Sequence, residues 1–182
     1  MLNQIITFLL DVAGGLLTAA CLLRLYMQMQ RVPFANPVGK LVFALSDWIV
    51  MPLRRVIPPT GRWDVSSLAA ALLVQVAQYL LLWLFMGAGA GLAWLPWLVV
   101  FGVARVAVSG LIGLLIVYAV LSWVQTRSPL SDVLARLCEP VLRPIRRIVP
   151  LVGGVDLSPL VALVLLQVVM IVLGNLQGGM LR

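Results

Sequence analysis

Residues 52–58, Pro52-Leu53-Arg54-Arg55-Val56-Ile57-Pro58, return 92 positions later as Pro144-Ile145-Arg146-Arg147-Ile148-Val149-Pro150. Each copy runs on through a glycine (Gly61, Gly153), an aspartate (Asp64, Asp156) and a serine (Ser66, Ser158). An apolar stretch holding a glutamine (Gln75, Gln167) follows. Without a gap, 12 of the 25 positions from Pro52 to Val76 are identical to their partners. Chance does not produce that, so the chain is read as a duplicated unit, and the nature of one unit decides the fold.

The 182 residues are 63% hydrophobic and 10% charged, with a mean hydropathy of +1.11. Soluble domains carry far more charge, so this is the composition of a membrane protein. Four stretches are long enough to cross about 30 Å of hydrocarbon: Ile5–Met29, Leu68–Met86, Leu98–Val124 and Leu157–Leu176. Each half then reads as span, amphipathic helix, Pro-Arg-Arg turn, span. Two spans per half give both halves the same orientation, with a pseudo-two-fold axis along the membrane normal. The fold expected is an all-α membrane protein of four transmembrane helices in two parallel two-span repeats. Repeat 1 covers residues 1–86 and repeat 2 residues 98–182. A non-cytoplasmic Gly-rich linker, 87–97, joins them, and each repeat carries a cytoplasmic interfacial amphipathic helix.

Net charge is +7, and ten of the 13 Lys and Arg residues fall in the segments Arg31–Arg62 and Arg127–Arg147. This asymmetry is the positive-inside pattern of a multi-pass bacterial inner-membrane protein, with cytoplasmic basic loops and both termini non-cytoplasmic. It argues against nucleic acid as the partner and for anionic lipid headgroups or other membrane proteins. Asp11 interrupts the first apolar run and no basic segment precedes it, which argues against a signal peptide.

Asn36-Pro37 and Ser128-Pro129 each supply an N-cap followed by proline at the first helical position. The first helix then carries the apolar stripe Val38, Leu41, Val42, Leu45, Trp48 and Ile49, and the second Leu130, Val133, Leu134, Leu137 and Val141. On the opposite face, Asp132–Arg136 and Glu139–Arg143 have the i,i+4 spacing of helix ion pairs. Such helices either lie in the membrane interface or cap the bundle.

In the doubled motif, the leading proline is expected to end the helix and hold two arginines in a turn at the membrane surface. Arg54, Arg55, Arg146 and Arg147 are therefore candidates for binding lipid phosphate or a partner, since guanidinium pairs bidentately with such anions. The alternative is internal pairing with Asp64 and Asp156. Ser66 and Ser158 are expected to cap the second and fourth spans, with Asp64 and Asp156 beside positive helix ends. Arg24 is placed to snorkel. The repeat register puts Arg105 at the depth of Ala13, about 3 Å along the axis from Asp11, which makes Asp11 and Arg105 a candidate intramembrane ion pair. Gln75 and Gln167 are candidate interhelical hydrogen-bonding residues. Gly14, Gly15, Thr18 and Ala19 could pack closely on Ala107, Gly110 and Gly113.

The chain has no histidine, which removes His-ligated haem, most zinc sites and the Ser-His-Asp triad. Cys21 and Cys138 form no metal or haem motif, and Cys21 reads as a small packing residue. No nucleophile–base pair or metal set is visible, so no catalytic, metal or cofactor residue is assigned and an enzyme is not expected.

The doubled Pro-apolar-Arg-Arg element followed by Gly, Asp, an apolar residue and Ser resembles the YggT/YlmG family of small bacterial and plastid membrane proteins. Pro144–Pro159 is the closer match, while the first copy departs at Arg62-Trp63 and has Ser67 in place of Pro159. The resemblance implies a role in organising or assembling membrane and envelope complexes, in cell division or cofactor-complex assembly. It also implies a role in osmotic stress tolerance, for which a small ion-handling protein is the alternative. The family has no established enzymatic residues. Interfacial helices and small-residue spans make a homo-oligomer a further expectation.

Overall fold

The computed structural model describes residues 1–58, 63–86, 92–124, 128–149 and 156–180. Gly61, Gly153, Pro150 and residues 87–91 of the expected Gly-rich linker lie outside the described residues. These residues form six α-helices: α1 (Leu2–Met29), α2 (Pro37–Val56), α3 (Val65–Met86), α4 (Leu95–Val124), α5 (Pro129–Arg146) and α6 (Ser158–Met180). A single 3-10 turn, Leu92–Trp94, leads into α4. Helices α1, α3, α4 and α6 are long and apolar enough to cross a membrane, which makes this a multi-pass membrane protein. They start at most three residues before the spans expected from hydropathy, except at the fourth, which begins one residue later.

The order long, short, long, long, short, long puts α2 and α5 at the same end of a four-span bundle. The α1–α2 reversal shows how local chemistry makes this corner. Val32 N–H donates to Met27 O at 2.9 Å and Arg31 N–H to Gln28 O at 3.1 Å. This double closure needs a left-handed residue just past the helix, and Arg31 takes that conformation with φ 53°. Asn36 then caps α2 by accepting from Gly39 N–H at 2.9 Å. Gly39 has no room for a side chain, because the Phe34 backbone passes directly over it.

Three clusters fasten the short helices to the spans. Met27 and Val32 pack with Val42 of α2 and Val133 and Leu137 of α5. Val50 of α2 packs on Cys21, Ala70 and Ala71. Cys138 and Leu142 of α5 pack on Leu115 and Ala162. Tyr26 Oη donates to Leu137 O at 2.7 Å, tying α1 to α5. The stripe expected on α2 divides: Val42 is buried, whereas Leu41 and Trp48 are exposed.

The leading prolines of the doubled motif do not end their helices, and in the second copy the turn comes later, at Arg147–Ile148, where Ile148 N–H donates to Ile145 O at 2.9 Å. Pro52 lies inside α2, and Pro140 and Pro144 lie inside α5. All three prolines are exposed, so the carbonyls they leave unpaired sit on the outer face of the helix, where they need no protein donor. The small residues of α1 and α4 also depart from expectation. A cavity of about 410 Å³, lined by Ala19, Ala107, Gly110 and Gly113 among others, lies between these helices. A side chain on Gly15, Gly110 or Gly113 would meet nothing within 4 Å. Gly14 instead admits Gln78 of α3.

Candidate functional site

The basic end is built where α2 runs into α3 and α5 runs into α6. Arg54 and Arg55 occupy the last turn of α2, and Arg143 and Arg146 that of α5, where cations complement the helix dipole. Asp64 and Asp156 stand just ahead of α3 and α6, where anions do the same. The chain reversal brings these complementary ends together.

In the first half, Arg54 donates to Asp64 Oδ2. The Asp64 carboxylate is fully buried. It also accepts from Ser66 Oγ at 2.6 Å, from Ser67 Oγ at 2.7 Å and from Ser67 N–H at 3.3 Å. Asp64, not Ser66, is thus the cap of α3, and Ser66 serves it as a donor. Burial alone would raise this carboxyl. The Ser66 and Ser67 hydroxyls and Arg54 outweigh burial and hold it below the usual carboxylate range.

Arg24 completes the cluster. It does not snorkel, being 2% exposed. Its Nη1 donates to Asp47 Oδ1 at 2.6 Å and Ser46 Oγ at 3.0 Å, its Nε lies 3.9 Å from Asp64 Oδ2, and its guanidinium stacks 4.7 Å from the Phe43 ring centroid. Asp47 lies on the neighbouring α2 and reaches Arg24 before water can, which is why the arginine turns inward.

In the second half, Arg146 is held from three sides. Its Nε donates to Asp156 Oδ2 at 2.9 Å, its Nη2 to Tyr118 Oη at 2.9 Å and its Nη1 to Glu139 Oε2 at 3.1 Å. Glu139 therefore pairs with Arg146 and not with Arg143, and no Asp132–Arg136 bridge forms among the described residues. Ser158 does not cap α6 with its side chain. Its N–H donates to Asp156 Oδ1 at 2.9 Å. Pro159, standing where Ser67 stands in the first half, has no N–H to offer, so the aspartate takes the nearer one. Burial tends to raise Asp156 too, but Ser158 and Arg146 bring it below the ordinary carboxylate value.

The four arginines are therefore not equivalent. Arg54 and Arg146 are committed to Asp64 and Asp156. Arg55 and Arg147 are exposed and form no ion pair among the described residues.

Within the spans, Asp11 and Arg105 do not form an ion pair. Asp11 Oδ1 accepts from Gln78 Nε2 at 2.9 Å, and Arg105 Nη1 donates to Gln177 Oε1 at 3.2 Å. Matching depth was not enough, because α1 packs chiefly along α3 and α4 along α6. Gln75 is buried and donates to Thr18 Oγ1 at 3.2 Å and Gln78 Oε1 at 3.0 Å. A side chain on Gly102 of α4 would run into Gln75 and the Tyr79 hydroxyl. A polar seam thus runs from Asp11 and Thr18 through Gln78 and Gln75 towards α4. Gln167 is not part of it: its side chain is exposed and unbonded among the described residues.

Ser46, Asp47, Ser67, Gln78, Tyr118 and Gln177 were missed as site residues. Two had a readable signal: Ser67 lies at the i+3 capping distance from Asp64, and Gln78 one helical turn from Gln75. Cys138 is not a reactive thiol. Burial pushes it up to about 11 despite the nearby Arg146. Among the described residues no three His, Cys, Asp or Glu side chains gather as a metal site.

Four membrane-length helices, closed at one end by two shorter ion-paired helices, define a small multi-pass all-helical membrane protein. The chain belongs to the CCB3/YggT family, whose profile matches residues 3–85 and 97–177. It is 38% identical over 170 residues to the uncharacterized protein YggT of Escherichia coli K12, covering 90% of this chain and 86% of that one. An uncharacterized protein of Pseudomonas aeruginosa is 34% identical over 96% of this chain and 91% of its own. One from Vibrio alginolyticus is 33% identical over 94% and 95%. No solved structure matches.

Proposed function

We infer that this protein is a non-enzymatic organiser of the bacterial inner membrane, using the basic end of its bundle to hold anionic phospholipid and to assist the assembly of membrane or envelope complexes. The observation that carries this reading is the division of labour between adjacent arginines. Arg54 and Arg146 are neutralised internally, which fixes the ends of α2 and α5. Arg55 and Arg147 are left exposed, with the exposed apolar side chains of Val56 and Ile148 next to them in the chain. A guanidinium beside an exposed apolar side chain suits the boundary between headgroup and acyl chain. On this reading the basic end is cytoplasmic, and cell division and cofactor-complex assembly are the processes it would serve.

The test separates the arginines. Purified protein in detergent is titrated with fluorescent phosphatidylglycerol and with phosphatidylcholine. Arg55→Gln with Arg147→Gln should weaken the anionic lipid about thirtyfold, at about 1 kcal/mol for each of the two surface arginines, and leave the melting temperature unchanged. In cells, a photocrosslinker at residue 55 or 147 should capture other membrane proteins. Capture of lipid alone would remove the assembly role.

The polar seam from Asp11 to Gln75 favours a second reading, an ion-handling protein acting in osmotic adaptation. If proteoliposomes pass K⁺ or Na⁺ and Asp11→Asn alters that flux, this reading displaces the first.

A further inference from the structure

Helix α6 carries a polar side chain where a membrane span should not expose one. Gln167 lies nine residues into α6, roughly 14 Å along its axis at 1.5 Å per residue, and so near the middle of the span. Its amide has no partner among the described residues, and no water is present at this depth to supply one.

The same face has a distinctive composition. Leu160, Val164, Gln167, Ile171, Gly174 and Gly178 recur at alternating spacings of four and three and fall within an arc of about 80° at 100° per residue. All six are exposed, and Leu160, Val164 and Ile171 are each more than half exposed. A side chain built on Gly174 or Gly178 would meet nothing within 4 Å, so the backbone itself is bare there. Small residues four apart let two membrane helices approach closely.

The other half of the chain uses the corresponding face. Gln75, the counterpart of Gln167, is buried and bonded to Thr18. Helix α3 packs against α1, α2 and α4, whereas α6 packs against α4 and α5. One glutamine face is thus already covered by a helix and the other is not.

We propose that this face of α6 is the self-association surface of the protein, with Gln167 meeting Gln167 of a second copy across a two-fold axis along the membrane normal. The occupant follows from chemistry and insertion. Every copy enters the membrane the same way round, so α6 of two copies run parallel and each residue faces its own equivalent at equal depth. A glutamine amide both donates and accepts, so two of them complete one another. The surface is independent of the basic end, and its test does not depend on lipid binding.

The experiment is a cysteine scan of α6 in native membranes, in a Cys21→Ala, Cys138→Ala background. Single cysteines at residues 164, 171 and 174 should give a crosslinked dimer with a short bifunctional maleimide. Cysteines at Leu165 and Val172, equally exposed but on the far side of the helix, should not. Gln167→Leu should reduce the yield from residue 171 about threefold, the factor for one interhelical side-chain hydrogen bond, and Gln167→Asn should restore part of it. Gly174→Ile should abolish the dimer while leaving the melting temperature in detergent unchanged. Equal crosslinking at all five positions would overturn the proposal. So would its absence everywhere, or crosslinks only to other proteins.

Discussion

Asp64 and Arg54 form an ion pair whose aspartate is wholly sealed from water, bridging the end of one helix and the start of the next. Its counterpart, Asp156 with Arg146, lies at the surface, with side chains 29% and 35% exposed. The same residues at the same spacing thus have different energetic weight in the two halves. Arg54 is 29% exposed, but Arg24, 3.9 Å from Asp64, is 2% exposed, so removing Asp64 leaves buried positive charge less compensated, at a cost of up to about 3–5 kcal/mol. A surface pair contributes about 1 kcal/mol or less. Asp64→Asn should therefore lower the thermal midpoint in detergent severalfold more than Asp156→Asn. Equal losses would show that burial of Asp64 does not set its importance.

The depressed Asp64 carboxyl makes stability depend on pH in one direction. Its ordinary value is 3.8 and its folded value lower. Its stabilisation is complete above about pH 5 and is lost progressively as acid protonates first the unfolded and then the folded form. Melting curves from pH 7 to pH 3 should fall steeply below about pH 4 in the wild type, and with a smaller slope in Asp64→Asn. An unchanged slope in the variant would assign the acid loss to other carboxylates.

Two backbone positions should respond in opposite ways. Arg31 holds a left-handed conformation that costs a side-chain-bearing residue about 1 kcal/mol, so Arg31→Gly should raise the thermal midpoint. Gly39 faces the Phe34 backbone, with Cα and C only 2.8 Å from where a Cβ would sit. Gly39→Ala should cost about 1–3 kcal/mol through overpacking, while Gly113→Ala, opening into free space, should cost nothing measurable.

In the spans, Asp11 should couple to Gln78 and not to Arg105. A double-mutant cycle of Asp11→Leu with Gln78→Leu should give a coupling of about 0.6 kcal/mol, larger than the cycle of Asp11→Leu with Arg105→Leu. The reverse order would restore the direct ion pair.

Element type and placement were legible because hydropathy and capping act over a few residues. The four spans and the starts of α2 at Pro37 and α5 at Pro129 needed no tertiary information. Pro52 and Pro144 look like helix ends in one dimension but are tolerated on an exposed helical face. Asp64 and Arg54 were legible in the sequence, but Ser46, Asp47 and Tyr118 were not, because their partners lie between 22 and 28 residues away. Nothing in local sequence reports a contact of that range.

The sequence by itself determined a four-span helical membrane protein with its charge concentrated in two segments, because transfer of apolar and charged groups between water and lipid is a property of composition and order. The tertiary structure alone decided that Arg24 is buried, that Arg54 and Arg146 are spent on internal pairs while Arg55 and Arg147 are not, and that Asp11 meets a glutamine. Those outcomes depend on which helix faces lie against which. Burial and distance set the strength of a charge interaction, and both appear only once the helices are packed.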